Sequence, residues 1–134
     1  MLKTSKIAVF FLFTTILAST AAAGGTYDGI WTEDAAIVTE YFTLQQNGST
    51  IIVADLDSSK KTWDAYQGSI DANNKITINM ILSMLYPGAK ATVTLEFSSS
   101  TKGTLTLVSC TPPPNSNIHC NSTPGAQTQI KRIF

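Results

Sequence analysis

The sequence predicts an all-β fold in which eight antiparallel strands run up and down and close into a single barrel. Three observations carry that prediction. After Gly24, apolar residues recur at alternate positions in short runs, the pattern of a strand with one buried face. Breaks rich in Gly, Asn, Ser and Pro separate those runs at hairpin distances. No stretch keeps the repeat of an amphipathic helix. Consecutive hairpins close most economically as a barrel, which removes exposed strand edges. A two-sheet sandwich is the alternative, but it calls for a long crossover that the short connections do not supply.

The elements follow in chain order. "TYDGIWT", Thr26 to Thr32, is the first strand, and "EDAAIV" after it reads as a loop or short helical turn at a barrel mouth. "EYFTLQQ" places Phe42, Leu44 and Gln46 on one face, with Tyr41, Thr43 and Gln45 on the other. Asn47-Gly48 then supplies the left-handed residues of a two-residue hairpin turn. The return strand "STIIVADLD" is apolar on both faces. Its inward set is expected to be Ile52, Ala54 and Leu56, which leaves Ile51 and Val53 outward beside Tyr41 as a partner surface. "TWDAYQGSI" and "KITINMIL" flank the turn "DANN", and "ILSMLYPG" forms a lid-like apolar excursion. "KATVTLEFS" alternates most cleanly, with Ala91, Val93, Leu95 and Phe97 against Thr92, Thr94 and Glu96. "TLTLVSC" and "QTQIKRIF" complete the set.

The chain's start and composition bound its setting. Lys3 and Lys6, the apolar run "IAVFFLFTTILA" and the small residues "STAAA" form a signal peptide over residues 1–23. The apolar run falls short of the roughly 18–20 residues that a membrane span needs. Export to the periplasm or the extracellular space is expected, with residues 24–134 as one domain. Removing Lys3 and Lys6 from nine basic residues leaves seven against nine acidic ones, a formal charge of −2. No basic stripe suits nucleic acid. Cys110 and Cys120 both lie in the exported part, where a disulfide is expected rather than two free thiols. Closing so short a loop is worth roughly 2–3 kcal/mol on the chain-entropy model.

Chemistry-bearing patterns are sparse. The single histidine, His119, sits in the Pro-rich loop "CTPPPNSNIHC", and no nucleophile–base, phosphate-loop or zinc motif accompanies it. Asp55, Asp57 and Asp64 lack the glycine turn and distal glutamate of a calcium loop and read as solvated strand ends. Asn47 and Asn121 match the glycosylation sequon but read as turn residues. The reading is therefore non-enzymatic, with neither metal nor cofactor. Aromatic residues form the one suggestive group: Trp31, Phe42, Trp63, Tyr66 and Phe97 either fill the bore or line a small apolar cavity with polar anchors such as Gln46, Gln67 and Asn79.

"GIW", Gly29 to Trp31, on the first strand of such a meander resembles the lipocalin and avidin-like barrels grouped as calycins. The resemblance implies that Trp31 packs across one barrel end and that a last-strand cation, here Arg132, lies over its indole, worth roughly 0.5–2 kcal/mol. Gly29 and Arg132 are then structural. The chain departs from typical lipocalins in lacking their Thr-Asp-Tyr motif, for which "TWDAY" is only a loose echo. The resemblance implies a carrier of a small apolar molecule. The outward hairpin face points instead to a contact with an exported protein or another copy of the chain, as in an inhibitor of a secreted hydrolase.

Overall fold

The computed structural model describes residues 25–134, so the expected signal peptide lies outside the described residues. Eight strands follow one another: β1 (Gly29–Glu33), β2 (Glu40–Asn47), β3 (Thr50–Asp57), β4 (Thr62–Ile70), β5 (Lys75–Ser83), β6 (Lys90–Ser99), β7 (Lys102–Thr111) and β8 (Gln127–Arg132). Each pairs antiparallel with its chain neighbour, and β1 pairs with β8, so the sheet closes into an up-and-down barrel. The expected architecture is the observed one. The first strand is shorter than expected, because Thr26–Asp28 turn beneath the barrel instead of extending it. Among the described residues no helix is long and apolar enough to cross a membrane.

One register expectation is corrected. Asn47 pairs with Thr50, so the β2–β3 turn centres on Gly48 and Ser49, with Gly48 at φ 61°. A two-residue turn joins residues of opposite parity, so Leu44 faces Val53, Gln46 faces Ile51 and Phe42 faces Asp55. Ile51 and Val53 are therefore core residues, at 0 % and 5 % exposure, and they are no partner surface. Ile52, Ala54 and Leu56 point outward instead. The turn lies one residue beyond the expected Asn47-Gly48, but a two-residue turn at either place faces Phe42 and Leu44 with odd-numbered residues; the error was to pair them with Ile52, Ala54 and Leu56.

The two ends of the barrel differ. At one end the hairpins are tight, and a stack of rings fills the bore. Tyr27 stacks on Phe97 with centroids 3.9 Å apart, and Phe97 lies tilted against Trp31 at 4.9 Å. The Trp31 indole N–H donates to the Tyr27 carbonyl at 3.0 Å, which satisfies the one polar group of a fully buried ring. Asp28 ties this plug to the wall by accepting from the Gly25 and Gln46 amides at 2.7 and 2.6 Å.

Arg132 is the cross-strand partner of Trp31 at the β1–β8 closure. Its guanidinium donates to the carbonyls of Phe134 and Thr26 at 3.0 and 3.4 Å, so backbone oxygens rather than an aromatic face receive the charge. Gly29 makes room for this arrangement. Its φ of 148° disfavours a side chain, and a Cβ there would run into the Phe134 carbonyl and come within 2.7 Å of the Arg132 Nε. Gly29 and Arg132 are thus two halves of one seam joining the first and last strands.

The opposite end carries the connections 34–39, 58–61, 84–89 and 112–126. Ile81–Ser83 belong to β5, so the expected lid-like excursion is confined to 84–89, where Met84 and Leu85 are exposed. Cys110 and Cys120 form a disulfide across the base of the longest connection, with Cα atoms 6.2 Å apart. Further along that connection, Leu107 exchanges backbone hydrogen bonds with Gly125 and Ala126, so the chain re-enters the wall just before β8.

Candidate functional site

The bore is packed only in its lower part. Inward residues Leu44, Ile51, Ile76, Leu95 and Ile130 are nearly solvent-free and sit above the ring plug. Above them the bore opens toward the long connections as a cavity of about 290 Å³. Its walls are apolar, with Phe42 from β2, Val53 from β3, Ile78 from β5, Val93 from β6 and Leu107 from β7. Ser122 and Ala126 of the disulfide-stapled connection complete one side. A wider cleft beside Gly25 and Thr26 lies outside the barrel, lined in part by the outward residues Thr43, Gln45 and Ile52.

Three carboxylates share the cavity: Glu33 at the end of β1, Glu40 at the start of β2 and Asp55 near the end of β3. Inward alternation places each of them there: Glu33 follows Trp31, Glu40 precedes Phe42, and Asp55 follows Val53. Asp55 Oδ1 is buried and has no hydrogen-bond partner. Burial, reinforced by the carboxylates of Glu40, Asp64, Asp57 and Glu33, pushes the Asp55 carboxyl from 3.8 up to about 7. Burial also raises Glu40, with Glu33 and Asp57 adding repulsion. Tyr66 is pushed upward by burial and then by Asp55, so its phenol stays protonated and able to donate.

Two of the lysines near this end of the barrel are engaged with surface acids. Lys60 pairs with Asp57 at 2.7 Å, and this hydrogen bond holds the Asp57 carboxyl well below the usual carboxylate range. Lys131 pairs with Asp34 at 3.0 Å. Among the described residues no Lys, Arg or His lines the cavity. Among the described residues no three His, Cys, Asp or Glu side chains are grouped so as to hold a metal ion.

Of the five aromatic residues expected around a ligand, the structure brings Phe42 and Tyr66 to the cavity. Trp31 and Phe97 belong to the plug at the other end. Trp63 points outward and is 45 % exposed, because it follows Thr62 on β4 with the parity opposite to Tyr66. Gln67 and Asn79 are likewise outward and exposed, and Gln46 lies at the plugged end against Gly25. The carboxylates were missed because acidic residues were assigned to solvent. The parity of the two-residue turn, readable in "QQNGST", would have placed Asp55 on the Phe42 face.

The outer wall carries its own apolar band. Tyr41, Leu56 and Trp63 stand side by side as cross-strand partners on β2, β3 and β4. Ile30, Ala54 and the C-terminal Phe134 border them along a shallow apolar groove. Compared with known proteins, the chain matches no protein-family model, no curated sequence and no solved structure.

Proposed function

We propose that this chain is an exported, non-enzymatic binding protein of calycin type that holds a small molecule with an apolar body in the open half of its barrel. The supporting observation is the cavity itself: about 290 Å³, apolar below and polar at its mouth, at the low end of the size range of small-molecule sites. The calycin reading draws its support from the closed eight-stranded up-and-down meander and from Trp31 buried across one barrel end, while Arg132 caps backbone carbonyls rather than the indole. Export accords with the disulfide. His119 is exposed on the stapled connection, apart from the cavity lining, which leaves the interior without an imidazole base. Titration with the neutral fluorophore N-phenyl-1-naphthylamine tests this reading. Saturable enhancement that disappears in Ala91→Phe, a substitution that grows a ring into the cavity, is the expected result. Enhancement unchanged by Ala91→Phe would sink it.

A second reading, contact with an exported protein or another copy of the chain, is favoured by the outer row of Tyr41, Leu56 and Trp63. Burying such a row contributes about 25 cal/mol per Å² of apolar surface. Leu56→Asp should leave the melting temperature within about 2 °C, since surface substitutions usually shift stability by under about 0.5 kcal/mol. It should abolish any concentration-dependent association seen by sedimentation. A chain that sediments as a monomer at every concentration, and captures no exported protein, would remove this reading.

A further inference from the structure

We infer that the molecule held in the barrel is an amphiphilic organic cation, its amine seated at Asp55 and its apolar body lying below against Phe42, Val53 and Ile78. The inference rests on the cavity reading and adds the chemical class of the ligand. Four features of the site converge on it.

The first is charge. Glu33, Glu40 and Asp55 line the cavity with no cation among the described residues beside them, and Asp64 stands directly across from Asp55 on β4. Four carboxylates so placed repel one another and any anionic guest, which disfavours a fatty acid or other carboxylate ligand. The second is the orphaned atom. Asp55 Oδ1 accepts from no group of the protein and is closed to solvent, so a donor entering the cavity would satisfy the carboxyl once its side chain turns toward the bore. Its position one residue pair beyond Val53 puts it at the boundary between the apolar wall and the mouth.

The third feature is aromatic. Phe42 is the cross-strand partner of Asp55, and Tyr66 is the partner of Val53, so two rings flank the carboxylate inside the cavity. A carboxylate beside aromatic faces suits an ammonium group, which gains from both the charge and the ring quadrupoles. The fourth is the ligand geometry that a metal would need. Among the described residues the acidic groups do not form a cluster able to hold a metal ion, whereas an organic cation needs one carboxylate and a place for its body.

The site also carries a pH signature. Glu33 from β1, Glu40 from β2, Asp57 from β3 and Asp64 and Tyr66 from β4 are the titratable groups that act on Asp55; the cavity lining from β5 to β8 is without titratable groups. A cation binds the ionised carboxylate better than the neutral acid. Affinity for the cation should therefore climb as Asp55 loses its proton around pH 7, while affinity for a neutral analogue stays level.

Titration calorimetry of the full chain with tryptamine, tryptophol and indole-3-propionate tests the inference, because the three share one ring and differ in charge. At pH 8 tryptamine should bind at least about tenfold tighter than tryptophol, a difference of about 1.4 kcal/mol, and the propionate should bind weakest. The tryptamine preference should shrink at pH 5.5 and vanish in Asp55→Asn, where tryptamine and tryptophol should bind alike. If the naphthylamine binds but tryptamine shows no preference over tryptophol, or keeps its preference in Asp55→Asn, the cation assignment is overturned and the cavity reading stands. If neither the naphthylamine nor any of the indoles binds, both are overturned.

Discussion

Replacing Trp31 by alanine should cost about 3–5 kcal/mol and lower the melting temperature by roughly 15–30 °C, the largest loss expected of any single substitution in this barrel. The ring is 0 % exposed, so its removal leaves a void with no solvent to fill it. Two further losses follow. Phe97 loses the ring it leans on at 4.9 Å, and Tyr27, stacked on Phe97, loses the donor that its carbonyl accepts. Native domains are stable by only about 5–15 kcal/mol, so the variant should stand near the edge of folding at ambient temperature. Trp63→Ala is the matched control. That indole lies on the outer wall, nearly half exposed, and its loss should cost under about 1 kcal/mol. Denaturant titration of the two variants decides the matter: comparable losses would mean that the orientations of β1 and β4 are wrong. The native emission should also divide in two, with a blue-shifted component that persists in Trp63→Ala.

The parts of this molecule that were legible in its sequence are those governed by local chemistry. Alternation in "KATVTLEFS" and the breaks at "DANN" and "YPG" mark strands and turns without reference to the rest of the chain, and the strands fall where those signals put them. Barrel closure was legible as well, because eight hairpin-linked strands have few other ways to hide their edges. The error at Ile51 and Val53 has a different origin. Both faces of "IIVA" are apolar, so hydrophobic pattern cannot choose between them, and only the turn count can. With two residues in the turn, the inward series is Ile51, Val53, Asp55, and an acid enters the bore behind two aliphatic residues.

That acid is also where composition rules fail for a physical reason. Carboxylates are assigned to solvent because their burial is costly, and the rule holds for Asp57 and Asp34, each paired to a lysine at the surface. Asp55 breaks it, with no lysine among the described residues paired to it. Functional sites are where such local rules give way, since a group held at a cost in the free protein is one that a ligand can satisfy. The same argument explains why the ring plug was only half legible. Trp31 was recognisable from "GIW", but its partners Tyr27 and Phe97 come from a turn and from a strand far along the chain.

Asp55→Asn should make the empty protein more stable at pH 8 while leaving it nearly unchanged at pH 4. The sign follows from proton binding. The folded carboxyl titrates near 7 and the unfolded one near 3.8, so below about pH 4 both states hold the proton and ionisation has no effect on folding. Between about pH 4 and pH 7 the unfolded chain releases its proton while the folded chain keeps it, and stability falls as pH rises. Above the folded value the loss is complete. A shift from 3.8 to about 7 corresponds to at most about 4 kcal/mol, and asparagine, which cannot ionise, should recover much of it. Asp57 works in the opposite direction, because Lys60 and Ser59 hold it ionised in the fold; its contribution is present above the unfolded value and fades as pH drops below about 4. The two acids therefore act in separate windows, and the window between pH 4 and pH 7 reports the cavity. Melting curves of the two proteins across that range should diverge steadily and then run parallel at higher pH. Curves that stay parallel throughout would show that Asp55 reaches water in the folded state, and the orphaned oxygen would no longer distinguish this cavity from an ordinary barrel mouth. A divergence that closes again when tryptamine is added would tie the stability cost and the binding preference to the same carboxylate, because the cation favours the ionised form that the empty barrel resists.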